Sequence, residues 1–216
     1  MNISKRLEAV ATLVDIGSRV IDVGCDHAYL DIYLTLNNDN KCIATDINKN
    51  ALEMAQKNIK KHKLEKKIEI KLADGLTDIK VKKSDNIVIS GMGTFTILDI
   101  LKTNKLSNTL IISSNNNIDI LRREVINLGY YIDSEIFLID KGKPYIIIKF
   151  IEGLQEYKKI DIKLGPVLKN NISYLEYNVN KYKRLIKQIP NRKILLKLKY
   201  LFIILVFNIL KLKKHN

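Results

Sequence analysis

The alternation of short apolar runs with amphipathic stretches, sustained from Arg19 to Ser113, restricts the fold of this chain more than any other feature. Arg19–Val23, Lys41–Thr45, Ile68–Leu72, Asn86–Ser90 and Thr109–Ser113 are too short for helices of a compact core and read as strands covered on both faces. Between them, the stretch from Asn48 to Lys63 sets Leu52, Ala55 and Ile59 on one face and lysines on the other. Thr96–Lys105 and Ile118–Leu128 repeat the pattern, with Gly129 where a left-handed C-terminal cap is wanted. Before the first strand, Ser4 is placed to cap a helix whose apolar face is Leu7, Val10, Ala11 and Val14. Units of this kind predict a parallel sheet between helices. Two last runs, Tyr131–Ile139 and Tyr145–Phe150, flank the turn-forming Asp140-Lys141-Gly142-Lys143-Pro144 and predict an antiparallel hairpin at the end of the sheet. The expected fold class is therefore α/β, a Rossmann-like doubly wound sheet ending in a hairpin, with a helical C-terminal appendage.

Beyond Phe150 the composition turns to Lys, Asn, Tyr and Leu, and the domain boundary is expected at 153/154. Leu164-Gly165-Pro166 reads as the start of a long helix toward Gln188, which Pro190 ends. A second helical segment, Ile194–Leu212, contains the apolar run Tyr200–Phe207. Lys197, Lys199 and Asn208 interrupt it, whereas a membrane span needs about 20 mostly apolar residues. Burial against a neighbouring helix or in a dimer is the favoured reading, with a membrane as the lesser alternative.

Charge is distributed unevenly. Residues 1–154 hold 22 Lys/Arg and 20 Asp/Glu, whereas residues 155–216 hold 15 Lys/Arg against Glu156, Asp161 and Glu176, so nearly all of the +14 resides in the appendage. A one-sided basic element is the footprint expected of a polyanion partner, RNA, DNA or an anionic membrane, with nucleic acid favoured, although such a run also reads as a solvated face. Cys25 and Cys42 fall at a strand end and in a buried strand, with no Cys/His ligand pattern, and no apolar segment follows the charges of Met1–Arg6. A reduced, cytoplasmic protein without a metal is expected.

In doubly wound folds ligands lie beyond the carboxyl ends of the strands, where the first strand turns into its helix. Gly24 occupies that turn alone, without the further glycines of a pyrophosphate loop, and Asp22 and Asp26 beside it would repel a pyrophosphate. A cationic cofactor without pyrophosphate, such as S-adenosylmethionine, suits these carboxylates. Asp46, 24 residues after Asp22 at the end of the second strand, stands where a carboxylate grips ribose hydroxyls, or alternatively caps the next helix. Asp74-Gly75 follows the third strand, where a side chain can accept from an adenine amino group. Ser90-Gly91-Met92-Gly93 follows the fourth, where glycines admit close backbone approach. The Asn-Pro-Pro-aromatic loop common to enzymes that methylate adenine N6 is absent from this position.

Taken together these segments resemble the bacterial tRNA (adenine-N1) methyltransferases of the TrmK type, class I S-adenosylmethionine-dependent enzymes that modify adenine 22 in the D-arm region. The resemblance covers roughly residues 3–188 and rests on several segments. They are Ser4-Lys5-Arg6-Leu7, Asp22-x-Gly24-x-Asp26-His27-Ala28-Tyr29-Leu30, Asp74-Gly75-Leu76 and Gly91-Met92-Gly93. Asp140-x-Gly142-Lys143-x-Tyr145 and Leu164-Gly165-Pro166 with Tyr174-Leu175 complete the set. The chain departs from the family pattern twice. Thr94 stands in place of the last glycine of Gly-Met-Gly-Gly, and Ser113-Ser114-Asn115 in place of Gln-Pro-Asn.

The resemblance implies S-adenosyl-L-methionine as cofactor and tRNA as partner. Asp22, Gly24, Asp46, Asp74, Gly75, Gly91 and Met92 would hold the cofactor. Adenine N1 has an in-plane lone pair, so positioning would supply most of the catalysis, and Asp26 would face the cationic product. His27 and Tyr29 would stack on or hydrogen-bond to the base, and Arg6 would reach the substrate. The basic region Lys158–Lys187, with Tyr174, Tyr177 and Tyr182 interleaved, would contact tRNA. The rival readings are a catalytically silent RNA-binding protein on this fold and a methyltransferase acting on a small molecule or protein.

Overall fold

A computed structural model describes residues 1–104 and 106–212, so Lys105, the expected end of one helix, lies outside the described residues. Two compact units are present, Met1–Glu156 and a second from Tyr157 onward. The first is built on a sheet of β1 (Arg19–Val23), β2 (Lys41–Asp46), β3 (Ile68–Leu72), β4 (Asn86–Met92), β5 (Thr109–Ser114), β6 (Tyr130–Asp140) and β7 (Lys143–Glu152). The strand order is β3-β2-β1-β4-β5-β7-β6, parallel through β5 and antiparallel at β7 and β6. The order reverses between β1 and β4, and the crevice of such a sheet opens there, outside the carboxyl ends.

Both faces of the parallel strands are covered. The helices α1 (Lys5–Ala11), α2 (Tyr29–Asn38) and α3 (Lys49–Lys61) pack into one cluster with Val20, Cys42, Ala44, Val88 and Ile111. Side chains alternate across a strand, so Ile21, Ile87, Ile89 and Leu110 are buried on the opposite face. There α4 (Thr94–Thr103) and α5 (Ile118–Asn127) contribute Ile97, Leu98, Leu121 and Val125. A buried ion pair between Arg122 of α5 and Glu135 of β6, 2.7 Å apart, anchors the hairpin to this layer.

The hairpin turn is tighter than its composition implies. Lys141 and Gly142 both have positive φ, +48° and +77°, which closes a two-residue loop and lets the ladder run to Asp140 and Lys143. Pro144 is accommodated because β5 reaches only Ile148–Phe150 of β7, leaving the start of that strand without a partner on its second side.

The second unit corrects one expectation. Leu164-Gly165-Pro166 does not open the long helix but divides α6 (Lys159–Leu164) from a 3-10 turn, Leu168–Asn170. The long helix, α7 (Ile172–Gln188), starts later, where the Asn171 side chain accepts from the Tyr174 N–H at 2.9 Å. It ends at Ile189, extended as the residue before a proline is constrained to be. The last helix, α8 (Ile194–Leu212), packs on α7 through Phe207, whose ring stacks on Tyr182 with centroids 6.1 Å apart, and through Tyr200. Tyr174 and Tyr182 thus serve the packing of these helices, while Lys181, Lys183, Arg184 and Lys187 lie exposed. Among the described residues no helix is long and apolar enough to cross a membrane.

Candidate active site

A cavity of about 390 Å³ opens at the reversal of strand order. Its floor is the segment that follows β1. The N–H groups of Gly24 and Cys25 both donate to the Thr45 carbonyl, at 2.8 and 2.9 Å, which folds the chain sharply over the end of β2. Gly24 has φ +79°, which favours glycine, and a Cβ at this position would press on the methyl of Met92, which would have to shift. Asp26 and Ala28 also take left-handed conformations, with φ +53° and +57°, a conformation that costs a non-glycine residue of order 1 kcal/mol or more.

The segment is held from outside by side chains. Asp46 accepts from the Asp26 N–H through one carboxylate oxygen, at 3.1 Å, and from the Asn48 N–H through the other, at 2.9 Å. Asn48, not Asp46, caps α3, its side chain accepting from the Asn50 N–H. Asn58 donates to the His27 carbonyl at 3.0 Å. The His27 ring meets Tyr29 edge-on, its Nε2 lies 3.6 Å from Asp26, and its Nδ1 is buried with no hydrogen-bond partner among the described residues.

Asp22 lines the same cavity, with Asp31 of α2 wholly buried behind it. Burial holds both carboxyls well above the ordinary carboxylate range, Asp31 up to about 7. Each lies close enough to the other to affect its ionisation, the Asp31 charge raising Asp22 further, so the pair retains a proton where isolated carboxylates would have lost theirs. Burial likewise pushes the Cys25 and Cys42 thiols up, which keeps both as inert thiols.

The opposite wall comes from β4. Its register against β5 slips between Ser90 and Met92, so Gly91 is the extra residue of a bulge, at φ +101°. Bulges of this kind re-aim the backbone beside active sites. Arg6 of α1 is turned inward, donating to Ser90 Oγ at 2.5 Å with its guanidinium 5.7 Å from the Tyr145 ring centroid. Its position is fixed from behind, since the Arg6 N–H donates to Asp140 of the hairpin at 3.3 Å.

The two departures from the family pattern meet each other. Thr94 is fully buried, and its hydroxyl lies 2.8 Å from Ser114 Oγ and donates to the Asn116 carbonyl at 2.6 Å. The Thr94 N–H donates to Asn116 Oδ1. A glycine–proline arrangement could supply neither hydroxyl. Here the pair ties the end of β4 to the end of β5 and fixes Asn115, whose amide donates to the Gly91 carbonyl at 2.7 Å.

Arg6, Asp22, Gly24, Asp26, His27, Tyr29, Asp46, Gly91 and Met92 therefore line one cavity. Asp74 and Gly75 do not, although they follow β3 at the same edge; Asp74 is exposed, and a Cβ on Gly75 would meet Ile100 at 3.0 Å. Leu7 and Ser90 also line the cavity. In the sequence they stand in the same motifs as Arg6 and Gly91, but an apolar helix face and the polar end of an apolar strand do not by themselves signal a site. Among the described residues no group of His, Cys, Asp and Glu is arranged to hold a metal ion.

Residues 3–148 match the methyltransferase domain family. Over 175 residues, 78% of this chain and 74% of the relative, the sequence is 33% identical to the tRNA (adenine(22)-N(1))-methyltransferase of Bacillus subtilis (strain 168). The structure of M. capricolum TrmK in complex with S-adenosyl-homocysteine superposes with a TM-score of 0.79 at 32% identity, covering 95% of this chain and 96% of that one. A Streptococcus pneumoniae protein in complex with S-adenosyl-L-methionine gives a TM-score of 0.84 at 29% identity, covering 97% and 99%. With a cofactor-sized cavity at the switch point and these relatives on record, the chain belongs to the tRNA (adenine(22)-N(1))-methyltransferase family, within the methyltransferase domain family.

Proposed function

We propose that this protein transfers a methyl group from S-adenosylmethionine to N1 of an adenine in tRNA, adenine 22 as in the named relative. The observation that carries the reading is the convergence of Asp22, Asp26 and Asp46 with Gly24 on one cavity at the strand-order reversal. These residues fit the cofactor. Three carboxyls suit a ligand bearing a sulfonium, an ammonium and ribose hydroxyls, and Gly24, at φ +79°, keeps the chain bare of a side chain where it turns at the cavity. S-adenosylmethionine supplies an electrophilic methyl when bound. Asp46 would take the ribose hydroxyls, and Asp22 the cationic end.

Adenine N1 attacks through its in-plane lone pair, so no proton has to leave first, and the chain's task is alignment. The ring becomes cationic as the bond forms. Asp26, whose carboxyl is largely exposed at the cavity, faces that charge, and removing such an electrostatic partner costs on the order of 10²–10³ in rate. His27 and Tyr29 line the cofactor cavity on the side where the base approaches. The unit from Tyr157 onward, with 15 Lys/Arg against two Asp/Glu, supplies the electrostatic contact with tRNA. Incubation with unmodified tRNA and labelled S-adenosylmethionine, followed by nucleoside analysis, tests the assignment. N1-methyladenosine that is lost on Asp26→Ala is the expected result; N6-methyladenosine, or no label, would overturn it.

A further inference from the structure

A second cavity, of about 560 Å³, adjoins the first, and Arg6 and Gly91 border both. Its volume lies within the range of ligand pockets, roughly 300–1,000 Å³. The remaining walls come from segments that the cofactor does not need: Ser114 and Asn115 after β5, and Lys143 and Tyr145 from the hairpin. We infer that this cavity receives the target adenine, turned out of the tRNA, with Tyr145 as its aromatic wall, Asn115 as the acceptor for its exocyclic amine and Lys143 at its mouth. The inference rests on the methyl-transfer reading above and deepens it.

The chemistry of the walls is specific. The Tyr145 ring is half-buried, and the Arg6 guanidinium lies over one of its faces, which fixes the ring where a base can pack beside it. Asn115 is pinned twice, its backbone N–H donating to the Met92 carbonyl at 3.0 Å and its Nδ2 to the Gly91 carbonyl at 2.7 Å. With Nδ2 committed, Oδ1 is left to accept. The six-amino group of adenine donates there, and N1 is the neighbouring ring position, so holding the amine directs N1 toward the border with the first cavity. Guanine would present a carbonyl oxygen to the same acceptor and carries a proton on N1. Oδ1 of Asn115 therefore favours adenine, whose amine donates to it, over guanine, whose carbonyl cannot. Lys143 is exposed, placed to meet a phosphate flanking the extruded nucleotide.

The full-length protein is tested with unmodified tRNA, measuring S-adenosylmethionine affinity by calorimetry and kcat/KM by N1-methyladenosine formation. Tyr145→Ala and Asn115→Ala are each expected to lower kcat/KM between about fivefold and a hundredfold, the range given by loss of one base-stacking or base-edge contact. Cofactor affinity should stay within twofold, and Tyr145→Phe, which keeps the aromatic face, should lose less than Tyr145→Ala. Lys143→Glu, on an exposed side chain that cannot disturb the core, should raise KM for tRNA about tenfold. Unchanged kcat/KM in these variants, or losses matched by weaker cofactor binding, would overturn the pocket while leaving the methyl-transfer reading intact. Absence of N1-methyladenosine from the unsubstituted protein would instead overturn that reading, and this inference with it.

Discussion

The unit ending at Glu156 and the helical unit after it solve opposite problems. The first carries 22 Lys/Arg and 21 Asp/Glu, so its recognition depends on shape: a bulge, a glycine in left-handed backbone and carboxyls placed to within a hydrogen bond. The second carries 15 Lys/Arg and two Asp/Glu on plain helices, and its basic side chains at positions 181, 183, 184 and 187 are free of any comparable framework of short contacts. Chemistry requires geometry, whereas polyanion capture requires only density of charge. The two tasks should therefore fail separately.

Charge reversal of Lys181, Lys183, Arg184 and Lys187 to Glu should have the largest effect, lowering tRNA affinity by on the order of 10²-fold or more and flattening its dependence on salt. S-adenosylmethionine affinity should not move. Filter binding across a salt series checks this, and an unchanged slope would show that the basic unit is not the electrostatic partner. Within the first unit, the buried pair Asp22 and Asp31 makes stability depend on pH. Both carboxyls bind protons more tightly folded than unfolded, so the native state holds the extra proton between about pH 4 and 7, and stability falls as pH rises through that window. Asp31→Asn should lessen this decline, read as urea midpoints at pH 5 and pH 8, and leave the part that the burial of Asp22 contributes. A decline undiminished in the variant would place its source elsewhere. The smallest effect belongs to the hydroxyl pair. Thr94→Val and Ser114→Ala should each cost about 1 kcal/mol, and together less than the sum of the two. Strict additivity in urea denaturation would show that the hydroxyls act independently.

Much of the sheet is legible in the sequence because parallel strands covered on both faces need continuous apolar runs, and Ile87-Val88-Ile89 or Leu110-Ile111-Ile112 admit few other readings. The hairpin is legible as a turn, but its exact length depends on left-handed backbone at Lys141, a residue that carries no such signal. The start of α7 was hidden for a similar reason: Gly165-Pro166 punctuates the chain strongly, while Asn171, one asparagine among several, is the cap. The first cavity could be read as a motif, since Asp22 to Tyr29 are neighbours along the chain and Asp46 and Gly91 close neighbouring strands. Arg6 and Tyr145 are 139 residues apart, and the docking of α1 on the hairpin, through Asp140 and through the apolar cluster that joins Leu7 to Ile136 and Leu138, brings them together.

The left-handed backbone at Asp26 and Ala28 has a consequence for how the molecule can be improved. Glycine at position 28 would relieve the left-handed strain, set against the loss of one methyl buried in the core, and on backbone criteria alone it would count as a stabilising change. It would also release the hinge between Asp26, His27 and Tyr29, whose side chains keep their aim because alanine cannot swing as glycine does. A screen for heat tolerance would be drawn to such substitutions, and activity would be where the loss first showed.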